Sequence, residues 1–438
     1  MQEAFYALAD DVLAGVSGEE VLLLSFAGEE SDFVRFNHSK VRQAGSVSQR
    51  ELGMELIVGQ RHLRSVLTLS GDAEMDRARS AATLAELRER IAHVPEDPHL
   101  LYATEVRSGE AVGEDRLPAR EDAVDAALAA GEGKDLVGLL GRGGVFAGFA
   151  NSLGQRNWFG SHTFHLEWCF YHAADKAVKT AYAGFEWDDA AFARKVATAG
   201  EQLEVLRQPA KTIEPGEYRV YLTPDAMREY MELLSWGGFG LKDHRTKSTS
   251  LLKMIEDGAT LADSVTLREN TAEGMSPNFT DSGFLKPDKV TLIEAGRYRD
   301  CLVSPRSAKE YRQPCNTDAE YPVSLDMAGG SLAAGDVLGR LGTGLYVNQL
   351  WYLNYSDMPA CRITGMTRFA TFWVEGGQVA APVNVMRFDE TAYRVLGENL
   401  LALTAERDFL PCGETYGARS TRSVRLPGAL VEGFRFTL

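Results

Sequence analysis

Short runs of alternating apolar and polar residues, separated by glycine, constrain the fold of this chain more than any other feature. In the first 70 residues the pattern occurs in VLLLSFAG, DFVRFNHSKVRQAG and SQRELGMELIVGQRHLRSVLTLS. Successive side chains of a β-strand point to opposite faces, so a period of two predicts strands with one buried face. The pattern returns at residues 145–149, 161–185, 218–222, 289–294, 344–353, 368–375 and 379–385. These repeats predict a chain rich in β-sheet.

Helical patterns separate the strand regions. Residues 3–16, 71–93 and 188–206 have the apolar spacing or the composition of helices. Thr223 followed by Pro224 predicts the start of a further helix, because threonine caps a helix and proline suits its first turn. The apolar stripe of this last helix consists of Met227, Tyr230, Met231 and Leu234. The polar segment that contains Pro95, Pro98 and Pro118 is predicted to be a loop.

The order of these elements predicts an α+β fold with two domains. At 438 residues the chain is longer than a single small core requires. Pro209 and Pro215 bracket a short linker. We therefore predict an amino-terminal α+β domain over residues 1–210, with a mixed or antiparallel sheet and flanking helices. Residues 216–438 are predicted to form a carboxyl-terminal, β-rich domain, either barrel-like or a sandwich.

Charge and cysteine content limit the functional classes. The formal net charge is −16, from 46 basic and 62 acidic residues, and the chain has no dense Lys/Arg run. Such a chain repels the phosphate backbone, so direct nucleic-acid binding is not expected. Five scattered cysteines without CxxC spacing indicate a reducing compartment. No apolar run approaches the ~18 residues that span a membrane, and the amino end carries acids where a signal peptide has bases. We expect a cytoplasmic protein with no membrane association.

Four ordered segments resemble the TldD/PmbA family of metallopeptidase-related proteins. The resemblance is spread over nearly the whole chain, and KSTSLLKM is similar to the PmbA/TldE-like branch in particular. The segments are FVRFNHSKVRQAGSVSQRELGMELIVG, FANSLGQRNWFGSHTFHLEW, KSTSLLKM, and the region from GLYVNQL to RFATFWVEGGQVAAPVNVMRF.

The resemblance implies a zinc site that this sequence lacks. Catalytic members bind zinc through an HExxxH helix and a cysteine near the C-terminus. The corresponding helix here reads TPDAMREYMELLSWGG, with Glu229 and Glu232 but no histidine, and no histidine follows His244. Cys412 is the counterpart of the family thiolate and is interpreted as a relic. We therefore expect no catalytic residue and no metal in this chain.

The function implied by the resemblance is that of a non-catalytic subunit. The chain would pair with a TldD-like HExxxH paralogue that supplies the zinc, forming a cytosolic protease for unfolded or ribosomally made modified peptides. Alone it would form a homodimer. The family name, modulator of DNA gyrase, would then reflect the processing of gyrase-directed peptides. Two alternatives stay open at this point: a stand-alone, homodimeric peptide-binding protein, and a peptidase with an atypical metal site.

Two sequence clusters are candidate sites. Aromatic residues accompany an apolar strand in GLYVNQLWYLNYSDM and predict a peptide groove or subunit interface, with ordinary sheet core as the alternative. These residues are Tyr346, Trp351, Tyr352 and Tyr355. In SHTFHLEWCFYH, strand periodicity places His165, Glu167 and Cys169 on one face, as an atypical metal set or as the polar face of a half-buried strand. GRGGVFAG matches no phosphate-loop motif and is interpreted as a flexible turn.

Overall fold

Two β-sheets organise the computed structural model, which describes residues 1–173 and 176–437. The strands of the first half are β1 (Val21–Asn37), β2 (Lys40–Val58), β3 (Arg61–Thr68), β4 (Gly109–Val112), β5 (Asp135–Asn151), β6 (Arg156–Ala173) and β7 (Lys176–Gly184). Its helices are α1 (Gln2–Leu13), α2 (Ala73–Ile91), α3 (Arg120–Ala130) and α4 (Asp189–Leu206).

The first sheet is mixed, which is one of the two forms predicted, mixed or antiparallel. Its strand order is β3-β2-β1-β5-β6, with β7 antiparallel to one end of β6 and β4 parallel to the other. Two elements were missed, because α3 was not predicted and β4 lies inside the segment predicted to be a loop. Residues 174 and 175, between β6 and β7 in the chain, lie outside the described residues.

Helices cover one face of the first sheet and leave the other for the second half. The even-numbered side chains of β6, such as Phe164 and Trp168, are buried in a core with Phe192 and Leu203 of α4. At the other end, α1 and α2 pack on the same face in a second apolar cluster. Because side chains alternate, the odd-numbered residues of β6 face away from these helices.

The second half contains shorter helices and longer hairpins. Its helices are α5 (Pro224–Gly238), α6 (Leu241–Arg245), α7 (Leu252–Glu256), α8 (Pro305–Tyr311) and α9 (Val337–Leu341). Its strands are β8 (Gly216–Leu222), β9 (Leu267–Glu269), β10 (Val290–Glu294), β11 (Arg297–Tyr298), β12 (Ser324–Met327), β13 (Gly344–Asp357), β14 (Arg362–Glu375), β15 (Gln378–Pro382), β16 (Arg387–Thr391), β17 (Leu400–Pro411) and β18 (Ser423–Phe436).

Five strands of this half close into a ring. The pairing runs β18-β16-β14-β13-β8, and β8 pairs back to β18 through residues such as Ala429 and Leu222. Closure removes the free edges that an open sheet would expose. The prediction of a β-rich carboxyl-terminal half is therefore confirmed, and of the two forms considered, barrel-like or a sandwich, the ring is the barrel-like one. The remaining strands extend the sheet from β18 through β12, β9, β10 and β11.

Helix α5 packs against the ring and positions the candidate site. The side chain of Thr223 accepts a hydrogen bond from the backbone N of Ala226 at 3.2 Å, which confirms the predicted cap. The predicted stripe is fully buried in the main core of this half. Trp236 and Gly237 leave helical geometry, so the regular helix ends before them. In the part of the chain that the structure describes, no helix is long and apolar enough to cross a membrane.

Candidate functional site

Polar side chains of α5 meet the first sheet in a buried group of charges. Arg228 is only 6% exposed, on a helix whose apolar stripe is packed in the core. Its Nη2 lies 3.8 Å from carboxylate oxygens of Asp225 and Glu229, and 4.0 Å from Glu167 of β6. These four residues, Arg228, Asp225, Glu229 and Glu167, are called the Arg228 cluster below.

Strand β6 supplies the other side of this site. As predicted, His165, Glu167 and Cys169 share one face of the strand, which is half-buried. This face points to the second half of the chain, so the polar-face interpretation accounts for the pattern. Lys179 of β7 forms an ion pair with Glu167 at 3.0 Å.

Burial and neighbouring charges together set the pKa values in the cluster. Burial raises the pKa of Asp225 and of Glu229 despite the nearby Arg228. Burial would also raise the pKa of Glu167, but Lys179 and Arg228 outweigh it and lower that pKa. Burial likewise opposes the charge on Arg228, and the surrounding carboxylates outweigh it and raise the pKa of Arg228. The cluster therefore holds a permanent guanidinium.

The two other groups on β6 are held in neutral forms. Burial lowers the pKa of His165 to about 4, against a raising effect of Glu167, and the cations Arg228, Arg419 and Lys179 lower it further. Burial raises the pKa of Cys169 to about 11. A thiol in this state is a poor nucleophile and a poor metal ligand.

Cys412 lies at the edge of the same site, in the loop after β17. Its Sγ is 3.3 Å from Nη2 of Arg422, which also pairs with Glu414 at 2.9 Å and lies 5.5 Å above the ring of Tyr321. The neighbouring Gly413 faces His165, because a Cβ added at Gly413 would lie 3.2 Å from Cε1 of His165. The loop thus brings Cys412 to the polar face of β6.

The donor set at this site does not suit zinc. Structural and catalytic zinc sites need at least three protein ligands, which are Cys, His, Asp or Glu. Within residues 1–173 and 176–437, no three such side chains are placed to hold a metal ion. His244 is buried, and its Nε2 lies 2.7 Å from the carbonyl oxygen of Gly238. Instead, the guanidinium of Arg228 lies 3.8 Å from the carboxylates of Asp225 and Glu229 on α5 and balances their charge.

The four aromatic residues singled out in the sequence lie in three different places. Tyr346 packs between the halves, with its ring 5.3 Å from that of Tyr221. The hydroxyl of Tyr355 donates to the carbonyl of Leu233 in α5 at 2.9 Å. Trp351 and Tyr352 are 46% and 75% exposed on the β13–β14 hairpin. They do not form one groove, and a role as a binding surface stays a prediction for Trp351 and Tyr352.

The GRGGVFAG segment is part of a strand, so its interpretation as a turn was wrong. It lies inside β5, where Gly143 has φ +137 and a Cβ would lie 2.1 Å from the carbonyl oxygen of Glu30. The carbonyl of Gly143 accepts a hydrogen bond from Nη1 of Arg419 at 3.1 Å. The glycines therefore admit a close approach of the backbone and a buried arginine.

Sequence reasoning missed the cations of the site. Arg228 and Lys179 lie in segments that were correctly assigned to a helix and a strand, and Arg419 lies in a loop. One signal was available for Arg228. It lies between Met227 and the pair Tyr230 and Met231, at the border of the apolar stripe, where packing against a second surface buries a side chain. Glu167 on β6 was a candidate residue, but no sequence signal indicated that it pairs with Arg228.

Comparisons with known proteins were made for the whole chain. A family model described as the PmbA/TldA metallopeptidase C-terminal domain matches residues 215–438. None of the curated protein sequences is significantly similar. The fold is similar to that of TldE from Thermococcus kodakarensis, with a TM-score of 0.77, 14% identity, and coverage of 99% of this chain and 100% of that one.

Two further solved structures have the same fold. A proposed modulator of a DNA gyrase from Thermotoga maritima has a TM-score of 0.74 and 13% identity, covering 99% of this chain and 100% of its own. A proposed modulator of DNA gyrase from Bacteroides thetaiotaomicron has a TM-score of 0.73 and 14% identity, covering 99% and 98%. At such identities the likeness establishes the fold alone.

Proposed function

This chain belongs to the TldD/PmbA metallopeptidase family, and from that premise we propose that it is a non-catalytic, TldE/PmbA-like subunit of a two-subunit protease. Its partner is a TldD-like HExxxH paralogue, which contributes the zinc. The complex acts in the cytoplasm on unfolded or ribosomally made modified peptides. The five free thiols of the chain suit a reducing compartment.

The Arg228 cluster is the observation that carries this proposal. A divalent cation near α5 would lie beside a buried guanidinium, and like charges repel strongly where water is excluded. Arg228 also neutralises the carboxylates that a metal would need, since Asp225, Glu229 and Glu167 all lie within 4.0 Å of its Nη2. The buried carboxylates near α5 are therefore balanced by Arg228 and need no zinc ion.

A free strand edge supports the handling of peptides. In the described part of the chain, residues 41–49 of β2 pair only with β1, because β3 begins its pairing with β2 at Glu51. Backbone N–H and C=O groups along such an edge accept an added strand with little dependence on its sequence. This property suits a subunit that guides unfolded peptides to a partner's active site.

The exposed aromatic pair supports assembly through the carboxyl-terminal half. Trp351 and Tyr352 project from the β13–β14 hairpin, and the guanidinium of Arg368 lies 3.8 Å above the ring of Trp351. Aromatic and arginine side chains together are typical of residues that dominate interface energies. We propose that they contact the HExxxH paralogue, or a second copy of this chain when the paralogue is absent.

The deciding experiment mixes the purified chain with its HExxxH paralogue. We expect the chain alone to be a zinc-free homodimer without peptidase activity, and the mixture to form a heterodimer that degrades unfolded casein. Light scattering, metal analysis and a peptidase assay report the three properties. One tightly bound zinc per chain, lost together with activity on chelation, would contradict the proposal.

A matched pair of variants tests the interface. Trp351→Ala should weaken association by about 30-fold, the equivalent of ~2 kcal/mol for an aromatic anchor. Val385→Ala, at another exposed apolar position of the same half, should leave association unchanged. A homodimer that never exchanges with the paralogue would instead favour a stand-alone peptide-binding protein.

A further inference from the structure

A groove of about 420 Å³ runs across the first sheet, from Glu167 of the Arg228 cluster toward the hairpin between β1 and β2. Its floor lies on three neighbouring strands, β1, β5 and β6. The register pairs Arg35 with Leu139, and Leu139 with Glu167, so these side chains form one row across the groove. Val137 and Cys169 belong to the next row. The middle of the floor is therefore apolar, with a charged residue on either side.

Three side chains that donate hydrogen bonds line the hairpin end of the groove. They are Arg35, Asn37 and Arg42. Arg42 is the extra residue of a β-bulge, because β1 pairs with Val41 and Gln43 on either side of it. Both arginines are exposed, so a ligand can reach them. Among the described residues, none of the three side chains forms a hydrogen bond or an ion pair.

The acids near the groove do not neutralise this end. Glu167 lies in the lining, but its carboxylate forms an ion pair with Lys179 at 3.0 Å. Glu167 is also two strand spacings from Arg35 across the sheet, which is about 10 Å. Asp135, at the start of β5, pairs with His38 at 3.0 Å. The positive charge at the hairpin end is therefore not balanced by a contact within 4.0 Å.

The other end of the groove also has cations beside it. Burial raises the pKa of Cys169 to about 11, and the nearby Lys179 and Arg368 act in the opposite direction. The chain as a whole has a formal net charge of −16, so it repels a long polyanion. A single carboxylate in the groove would instead meet local positive charge. The groove therefore suits a small anionic group and not a nucleic acid.

The free edge of β2 lies beside the same groove. Residues 41–49 pair only with β1 in the described part of the chain, and residues 40–46 are exposed. Arg42 belongs both to this edge and to the groove lining. A peptide that pairs with the edge would therefore bring a side chain or its own end close to Arg42. The half-buried Val137 and Leu139 offer apolar surface to the neighbouring residue of that peptide.

We propose that this groove binds a carboxylate of an extended peptide, with Arg35 and Arg42 as the donors. Hydrogen bonds between guanidinium and carboxylate groups are stronger than those between neutral groups. Asn37 would add a neutral donor, and an apolar residue beside the carboxylate would cover Val137 and Leu139. The carboxylate is that of the peptide C-terminus or of an acidic side chain. The inference rests on the proposed handling of peptides and names the class of peptide that the chain prefers.

Calorimetric titration of the purified chain at pH 7 and low salt tests the proposal. Three N-acetylated tetrapeptides are compared: Ala-Leu-Ala-Leu with a free C-terminus, its C-terminal amide, and the amide of Ala-Leu-Ala-Glu. At least one of the two acidic probes should bind about tenfold more tightly than the neutral amide, since only the acidic probes carry a carboxylate. Preference for the first identifies the C-terminus as the ligand, and preference for the second identifies an acidic side chain.

Variants of the two arginines test the donors. Arg35→Gln and Arg42→Gln should each weaken the acidic probe by about tenfold and leave the neutral amide unchanged. Arg340→Gln is the matched control, because Arg340 is exposed on α9 and forms no ion pair among the described residues. It should bind all probes as the natural chain does. Circular dichroism checks that each variant is folded.

Several results would overturn the proposal. They are equal binding of the acidic and neutral probes, unchanged binding by both arginine variants, and no binding of any probe at millimolar concentration. N-acetylleucine that binds as tightly as the tetrapeptides would show that no extended peptide is recognised. Tighter binding of a single-stranded oligonucleotide would assign the groove to phosphate. Because the chain is tested alone, failure to pair with the HExxxH paralogue would contradict the proposed subunit role and leave this result unaffected.

Discussion

Arg228 and Arg419 are both buried between the two halves of the chain, yet their surroundings differ completely. Arg419 is 9% exposed, and its guanidinium donates to neutral oxygens of Ser31, Gly143 and Thr163 at 2.6 to 3.3 Å. Arg228 lies among carboxylates at 3.8 to 4.0 Å. Its Nε has no hydrogen-bond partner among the described residues.

Arg419 is held by directed hydrogen bonds, whereas Arg228 is held by charge interactions with the carboxylates around it. Hydrogen bonds require a particular distance and direction between donor and acceptor. The bonds from Arg419 to the first sheet therefore hold its loop in place. Burial lowers the pKa of Arg419 to about 10, because the opposing effect of the Glu29 carboxylate is smaller than the effect of burial. Arg228 instead balances negative charges through space, and its pKa is raised. The effects of replacing the two arginines should therefore depend differently on pH.

Replacement of Arg228 should have the largest effect. Arg228→Met leaves buried carboxylates without their cation, which should lower the free energy of unfolding by ~4 kcal/mol at pH 8. The pKa values of Asp225 and Glu229 are already raised in the folded state, so both carboxylates take up protons readily as the pH falls. A protonated carboxyl needs no cation, so the stability lost in Arg228→Met should be smaller at pH 5 than at pH 8. Urea unfolding at both pH values measures this change.

The control for Arg228 is an exposed ion pair. Arg219→Met breaks the Arg219–Glu432 contact and should cost less than ~1 kcal/mol. If Arg228→Met lowers the free energy of unfolding equally at pH 5 and pH 8, Arg228 does not act by balancing the carboxylates, and the proposed difference from Arg419 is wrong.

Replacement of Arg419 should have a smaller effect that varies less with pH. Arg419→Met removes the hydrogen bonds to Ser31, Gly143 and Thr163, and should lower the free energy of unfolding by ~3 kcal/mol. Arg419→Lys keeps the charge but not the planar group, so it should recover less than half of the loss. Full recovery by lysine in urea unfolding would indicate that charge, and not hydrogen bonding, holds the loop.

His165 tests how the two arginines act together. Its folded-state pKa of about 4 lies below the ordinary value, so the unfolded chain binds the proton more readily. Stability should fall as the pH drops from 6.5 toward 4, by up to ~2 kcal/mol after allowance for partial exposure. His165→Gln should abolish this contribution. Urea unfolding of both proteins between pH 7 and pH 4 measures it, and parallel pH curves would show that His165 is not desolvated.

Replacement of Cys412 should have the smallest effect. Within the described residues Cys412 belongs to no group of three side chains that could hold a metal ion, and its Sγ contacts Arg422 and Glu414. Cys412→Ser should change partner-dependent peptidase activity by no more than a few-fold, because serine preserves size and polarity at a position that binds no metal. Complete loss of activity in an intact fold would assign Cys412 to a shared active site.

Much of the fold could be predicted because its signals are local. Alternation over β6 placed His165, Glu167 and Cys169 on one face, and the apolar stripe of α5 gave the buried face of that helix. Helix α3 and strand β4 could not be predicted in the same way. Helix α3 is rich in alanine, which favours a helix but forms no strong apolar stripe, and β4 forms only by parallel pairing with β6, which is distant in sequence. Gly141 and Gly143 were read as turn residues because glycine does not reveal whether a turn or a close packing contact requires it.

The sequence alone determined the absence of the histidine pair on α5, the sheet-rich architecture and the polar face of β6. Only the tertiary structure decided that Arg228 meets Glu167, that Arg419 enters the glycine-lined part of β5, and that Trp351 and Tyr355 are separated. Periodicity reports which face of an element is buried, since each residue's direction follows from backbone geometry. Desolvation and ion pairing depend on which faces meet, and that is fixed only when the two halves pack together.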